Sequence, residues 1–135
     1  MAEPFVHRLR VRYVECDMQG HVFNGHYLTY LDEAHTELLR ASGGQYAALL
    51  EEGRDLVVAE AGLRFLASAH FDDQLAIEVV VEQLTDSSMT SRFAVRRDGE
   101  LLTEATLRHV CVARDGSGKA RWPAAFRAAL AQRVA

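Results

Sequence analysis

The chain has 135 residues, enough for one domain with a buried core, and 49% hydrophobic with 25% charged residues suits a soluble globular protein. A formal net charge of −4 and a pI near 5.8 exclude the basic footprint that nucleic acid or an anionic membrane surface would select. No apolar run approaches the roughly 18 residues of a membrane span, no signal peptide precedes Phe5, and Cys16 and Cys111 make no disulfide scaffold, so a reducing cytoplasm is the expected compartment.

From Phe5 to Glu15 the chain alternates, with Phe5, His7, Leu9, Val11 and Tyr13 on one side and Arg8, Arg10 and Arg12 on the other. Period two over that length predicts a half-buried strand. A polar stretch with a turn at Gly20 follows. From Tyr27 apolar residues recur at Leu31, Ala34 and Leu38, widened by Leu28 and Leu39, at the intervals of one helix face through Arg40. Asn24 and Gly25 are the expected cap residues, and Ser42-Gly43-Gly44 is the expected stop. Gln45 to Glu52 can form a short second helix closed by Gly53.

Beyond Gly53 the periodicity is that of strands. Leu56 to Leu66 reads as a strand bent at Gly62, and Ala67 to Asp73 as a turn-rich connection. Leu75 to Glu82 alternates strictly, as does Met89 to Arg97. Asp98-Gly99 is a hairpin signal before the returning strand Leu101 to Ala113. Asp115 to Gly118 is a loop, and Trp122-Pro123 opens a last helix reaching about Val134, with Pro123 in its first turn. One strand, a long amphipathic helix and four further strands make a single domain of the α+β class. Its economical form is a five-stranded antiparallel sheet wrapped around a long central helix. The outer face of that sheet carries Val80, Ala94 and either Ala105 or Val110, so some of it is expected to meet another subunit.

Chemistry-bearing residues gather just before the long helix. Asp17, His21 and Asn24 stand ahead of a helix N-terminus, where free N–H donors and the positive end of the helix dipole suit an anion or a developing oxyanion. A carboxylate there can attack a carbonyl directly or take a proton from water. His21 can orient water or touch an acyl group, while His26 and His35 read as exposed or interfacial. The histidines lack tight ligand spacing, so no metal is expected. There is no G-x-S-x-G elbow, and Cys16 stands beside a carboxylate that would raise its thiol pKa. No glycine-rich nucleotide fingerprint occurs, so no cofactor is expected.

The segment Asp17-Met18-Gln19-Gly20-His21-Val22-Phe23-Asn24-Gly25-His26-Tyr27 resembles the D-x-x-G-H-V-x-N-x-x-Y signature of hotdog-fold thioesterases of the 4-hydroxybenzoyl-CoA thioesterase-like group. Tyr30 to Arg40 resembles the family's central helix, and Phe65 to Leu75 its aromatic–small–acidic bend. The resemblance implies a hotdog fold, hydrolysis of an acyl-CoA to a free acid and coenzyme A, and sites at the interface of a homodimer or homotetramer. It places the catalytic carboxylate at Asp17, with His21 beside it and the oxyanion donors at the amides near Asn24 and Gly25. It suggests substrate contacts at Phe23, Tyr27, Arg64 and Arg92, the arginines (with Arg96 and Arg97) as candidates for coenzyme A phosphates. Coenzyme A enters as part of the substrate. Another branch of hotdog thioesterases draws its carboxylate from the central helix, which makes Asp32 and Glu33 rivals to Asp17. Gln19 and Phe23 depart from residues common in relatives, and Phe23 can instead shape an apolar acyl pocket. An acyl-carrier-protein thioesterase and a non-catalytic acyl-CoA-binding module are the competing readings. A hotdog dehydratase is disfavoured because its D-x-N-P-x-H pattern is absent.

Overall fold

The computed structural model describes residues 3–43 and 46–135. Gly44 and Gln45, expected at the helix stop and at the start of the second helix, lie outside them. In chain order the elements are β1 (Phe5–Arg10), a 3-10 turn (Tyr13–Glu15), α1 (His26–Ser42), α2 (Tyr46–Glu51), β2 (Arg54–Phe65), β3 (Gln74–Leu84), β4 (Ser88–Arg97), β5 (Glu100–Ala113) and α3 (Ala124–Ala131). The strands form one antiparallel sheet in the order β1-β3-β4-β5-β2, with α1 against its inner face.

The sheet follows from the alternation read above. Leu75, Ile77, Val79 and Val81 on β3 and Met89, Phe93 and Val95 on β4 all turn inward and are buried. On α1, Leu31, Ala34 and Leu38 meet them in one core cluster. Burying a leucine fully is worth roughly 1.5–3 kcal/mol, so this stripe fixes the helix on the sheet. At Asp98-Gly99 both residues have positive φ, 50° and 84°, as a tight hairpin requires. Gly43 closes α1 in the left-handed conformation, its N–H bonding to the carbonyls of Leu39 and Arg40.

Several sequence expectations shift. The alternation from Phe5 does not continue as a strand past Arg10. The chain leaves the sheet at Val11 and tightens into the 3-10 turn, because the buried carboxylate of Glu15 gathers donors there. Glu15 Oε1 accepts from the Arg12 N–H and from the Tyr30 hydroxyl, each at 2.8 Å, and Oε2 accepts from the Arg12 guanidinium. Burial by itself would raise this carboxyl's pKa; the Arg12 N–H, the Tyr30 hydroxyl and the Arg12 side chain together hold it below the ordinary value. The irregularity in β2 falls between Val58 and Glu60, while Gly62 keeps regular register opposite Thr106. On the outer face it is Val110 that joins Val80 and Ala94; Ala105 turns inward opposite Phe93. Leu28 is exposed, while Leu39 does extend the buried stripe. The last helix ends at Ala131, and Pro123 sits at its N-cap.

Between α1 and β5 two imidazoles stack in the core, His35 on His109, with centroids 4.1 Å apart and planes 14° from parallel. His35 Nε2 and His109 Nδ1 are sealed from solvent without a hydrogen-bond partner. Burial, and for His35 also the neighbouring His109, pushes the His35 pKa well below the ordinary range; burial brings that of His109 down to about 4. The unfolded chain takes up protons near pH 6.5 that the folded core refuses, so stability falls as pH drops from about 6.5 toward 4. For His109 alone the loss is on the order of 3 kcal/mol. Denaturant titrations at stepwise pH should show this slope in wild type and a shallower one in His109→Leu.

Candidate active site

The residues Asp17 to His21 form a tight turn that aims a carboxylate. The Asp17 N–H donates to the His21 carbonyl at 2.9 Å, and the Gly20 N–H donates back to the Asp17 carbonyl at 3.0 Å. Gly20 has φ +80° with open space around a Cβ position, so it is the backbone angle that selects glycine there. Asp17 Oδ1 accepts from the Gln19 N–H at 2.9 Å. Oδ2 has no protein partner among the described residues, which leaves it open to water or substrate.

From the turn the chain runs between two supports. The Phe23 N–H reaches the Glu15 carbonyl and the Val22 N–H the Ala69 carbonyl, both at 2.9 Å. The helix then starts without a side-chain cap. Gly25 occupies the N-cap position, and the exposed Asn24 makes no cap bond with its side chain. The turn is closed by backbone instead, His26 N–H to Phe23 O and Tyr27 N–H to Asn24 O. The amides of Asn24 and of the N-cap Gly25, just ahead of the helix, donate to no protein acceptor among the described residues. A Cβ on Gly25 would stand 3.0 Å from Cε2 of Phe23, so glycine lets the Phe23 ring lie against the helix start.

Asp17, His21, Phe23, Asn24 and Tyr27 line one cleft of about 390 Å³, together with Phe65 and Ser68. Tyr27 is buried; its ring meets Phe65 edge-to-face at 5.2 Å, and its hydroxyl accepts from the Ala69 N–H at 3.2 Å. Ser68 Oγ lies 3.3 Å from His21 Nδ1. Asp17 also borders a hollow on its other side, lined by Tyr13, Cys16, Met18 and Phe71. No spacing in the sequence pairs Ser68 with His21, which are 47 residues apart. The resemblance of Phe65 to Leu75 to a family bend was the available signal.

The arginines lie elsewhere. Arg64 and Arg92 share a separate hollow of about 510 Å³ on the outer sheet face with Arg96 and Glu104. Arg92 is 3.7 Å from Glu82 and Arg96 is paired with Glu78; Arg64 has no ion-pair partner among the described residues. Arg97 is held by Asp73 and Glu100. Of the helix carboxylates, Glu33 is bonded to His7, and Asp32 lines a third hollow with His35 and His109. Among the described residues no three His, Cys, Asp or Glu side chains cluster as a metal site, and no helix is long and apolar enough to cross a membrane.

The family model described as the thioesterase-like superfamily matches residues 11–130, which takes in the motif turn, the cleft and the whole sheet apart from β1. The chain belongs to the thioesterase-like superfamily. The acyl-CoA thioester hydrolase YbgC of Escherichia coli is 30% identical over 105 residues, 77% of this chain and 78% of that protein. A hypothetical protein from Thermus thermophilus, TT1821, superposes with a TM-score of 0.89 at 32% identity, covering 95% of this chain and 98% of the other. Slr0204 of Synechocystis, a 1,4-dihydroxy-2-naphthoyl-CoA thioesterase, shares the fold with a TM-score of 0.87 at 23% identity, covering 95% and 96%. The hotdog architecture and the thioester-hydrolase reading of the sequence both hold.

The turn that aims Asp17 makes the thioesterase sensitive at Gly20. Placing a Cβ in the left-handed region costs about 1 kcal/mol, and Gly20→Ala should lower stability by that amount in urea titrations.

Proposed function

We propose that this thioesterase hydrolyses an acyl-CoA to a free carboxylic acid and coenzyme A. The observation that carries the reading is the half-buried Asp17 carboxylate, one oxygen unpartnered, facing a cleft at the start of α1 where the Asn24 and Gly25 amides also stand free. The family membership and the name of the Escherichia coli relative support the substrate class.

The chemistry follows from those groups. The thioester carbonyl sits with its oxygen toward the Asn24 and Gly25 amides, which strengthen their hold as the oxygen becomes negative. Asp17 then either takes the proton of an attacking water or attacks itself, forming an anhydride that water opens. The C–S bond breaks, coenzyme A leaves as its thiol, and the acid remains. Phe23 and Tyr27 contact the acyl portion. Arg64 and Arg92, in the separate hollow on the outer sheet face, receive the nucleotide phosphates at the far end of the pantetheine arm.

Asp17→Asn keeps shape and removes charge. The rate should fall by 10² to 10⁴, about 3 to 5 kcal/mol of barrier. The thermal midpoint should barely move. Asp32→Asn and Glu33→Gln, both outside the cleft, should keep most of the activity. A hydrolysis screen over short, long and aromatic acyl-CoAs with these variants checks the assignment; loss with Glu33→Gln rather than Asp17→Asn would overturn it.

The working unit is a homodimer joined along β2. That strand is an unpaired sheet edge, and Val57, Val58, Phe65 and Leu66 are each 45–51% exposed on it and just beyond it. A long apolar edge of this kind is completed by a second strand. Phe65 and Leu66 also line the Asp17 cleft, so pairing there brings the second copy to the site. A Val57→Lys/Val58→Lys double variant should sediment as a monomer and lose activity. A fully active wild-type monomer at micromolar concentration would overturn the dimer.

A further inference from the structure

His21 belongs to the motif turn, yet its ring is held by residues about 50 positions away. Its backbone bridges to that of His70, and the two rings meet edge-to-face with centroids 5.0 Å apart. Its Nδ1 lies 3.3 Å from Ser68 Oγ. Ser68 is itself fixed, its carbonyl accepting from Arg97 Nη1 at 3.1 Å. The same guanidinium nitrogen donates to Asp73 Oδ2 at 2.8 Å and approaches His70 Nδ1 at 3.4 Å. Asp73 Oδ2 also accepts from the His70 N–H at 2.8 Å. One ion pair thus clamps both residues that touch the His21 ring.

The clamp bears on where the protons are. Arginine can only donate, so toward Arg97 the His70 Nδ1 can serve only as an acceptor; the same nitrogen lies 3.8 Å from Asp73 Oδ2. Ser68 Oγ has no other hydrogen-bond partner among the described residues; its hydroxyl can donate to His21 Nδ1 or accept from it, according to the tautomer. With the hydroxyl proton directed at Nδ1, a neutral His21 carries its own proton on Nε2. Nε2 has no protein partner among the described residues, and His21 lines the cleft beside Asp17.

We propose that Ser68 is a positioning residue that locks His21 in the Nε2–H tautomer, so that the imidazole offers a fixed N–H donor to the thioester, with Arg97 and Asp73 bracing the lock from behind. This rests on the thioesterase reading above. A merely structural stitch between loops would place the same atoms but would not select a tautomer or affect the chemical step.

The test joins spectroscopy to kinetics. Nitrogen-15 NMR of the histidine side chains, assigned with His21→Ala, should show His21 as the Nε2–H form in wild type and as a mixture in Ser68→Ala. Turnover by Ser68→Ala should fall about tenfold with KM nearly unchanged, and Ser68→Thr, which keeps the hydroxyl, should recover most of it. In a His21→Ala background, Ser68→Ala should cost little more, because the two act as one unit. An unchanged tautomer in Ser68→Ala, or an equal loss in both backgrounds, overturns the proposal. Should wild type turn over no acyl-CoA, the thioesterase reading falls, and the NMR comparison alone upholds or overturns the lock. Thermal melts of all variants separate these effects from unfolding.

Discussion

A buried carboxylate, that of Glu15, ties the start of the chain to the helix. Its oxygens bind Arg12 and the Tyr30 hydroxyl, and its own carbonyl receives the Phe23 N–H. Burying a charge is costly unless it is paired and hydrogen-bonded, and here the donors come from the 3-10 turn and from α1. Because Asp17 is only two residues on, the same arrangement sets the direction from which the motif turn enters the cleft. The Tyr30 phenol, its pKa raised by burial and then by this bond, stays a donor at any physiological pH. The anchor is therefore electrostatic where most of the core is apolar packing.

Upon that anchor the site divides its tasks among different structures. The turn aims Asp17 through backbone bonds that close around Gly20, while the residues leading into the helix, Asn24 and Gly25, carry N–H groups without a protein partner among the described residues. The end of β2 and the residues after it supply Phe65 and Ser68 as the opposite wall. On the proposed reading, the groups that meet a reacting carbonyl are backbone amides, the short Asp17 side chain and the His21 ring braced by Ser68, none of which needs much ordering when substrate arrives.

Most of the architecture was legible because it rests on periodicity. The inward positions of β3, β4 and α1 follow from spacing alone, and the Asp98-Gly99 hairpin from turn chemistry. Misreadings arose where tertiary bonding overruled a local pattern. Val11 and Tyr13 prolong the alternation of β1, yet the needs of the Glu15 carboxylate bend the chain out of the sheet. Asn24 has the right side chain for a cap, but backbone bonds from His26 and Tyr27 close the turn and leave that side chain outward. In the site, Asp17 and His21 were visible through the motif. Ser68 was not, since a lone serine carries no periodicity and gains meaning only from the approach of β2 to the turn. The arginines were visible as charges, but which sheet face they occupy depends on register.

The bonds that shape the cleft join distant parts of the chain: Val22 and Tyr27 to Ala69, and His21 to Ser68. None of these can form until the polypeptide has been made just beyond β2, and the β4 residue Arg97, which holds the Ser68 carbonyl, comes later still. An emerging chain that has already wound α1 therefore holds Asp17 and the helix amides without the wall that faces them. The wall of the cleft thus rests on contacts of long sequence separation, whose loop-closure entropy must be met before they form, while the helix rests on local ones.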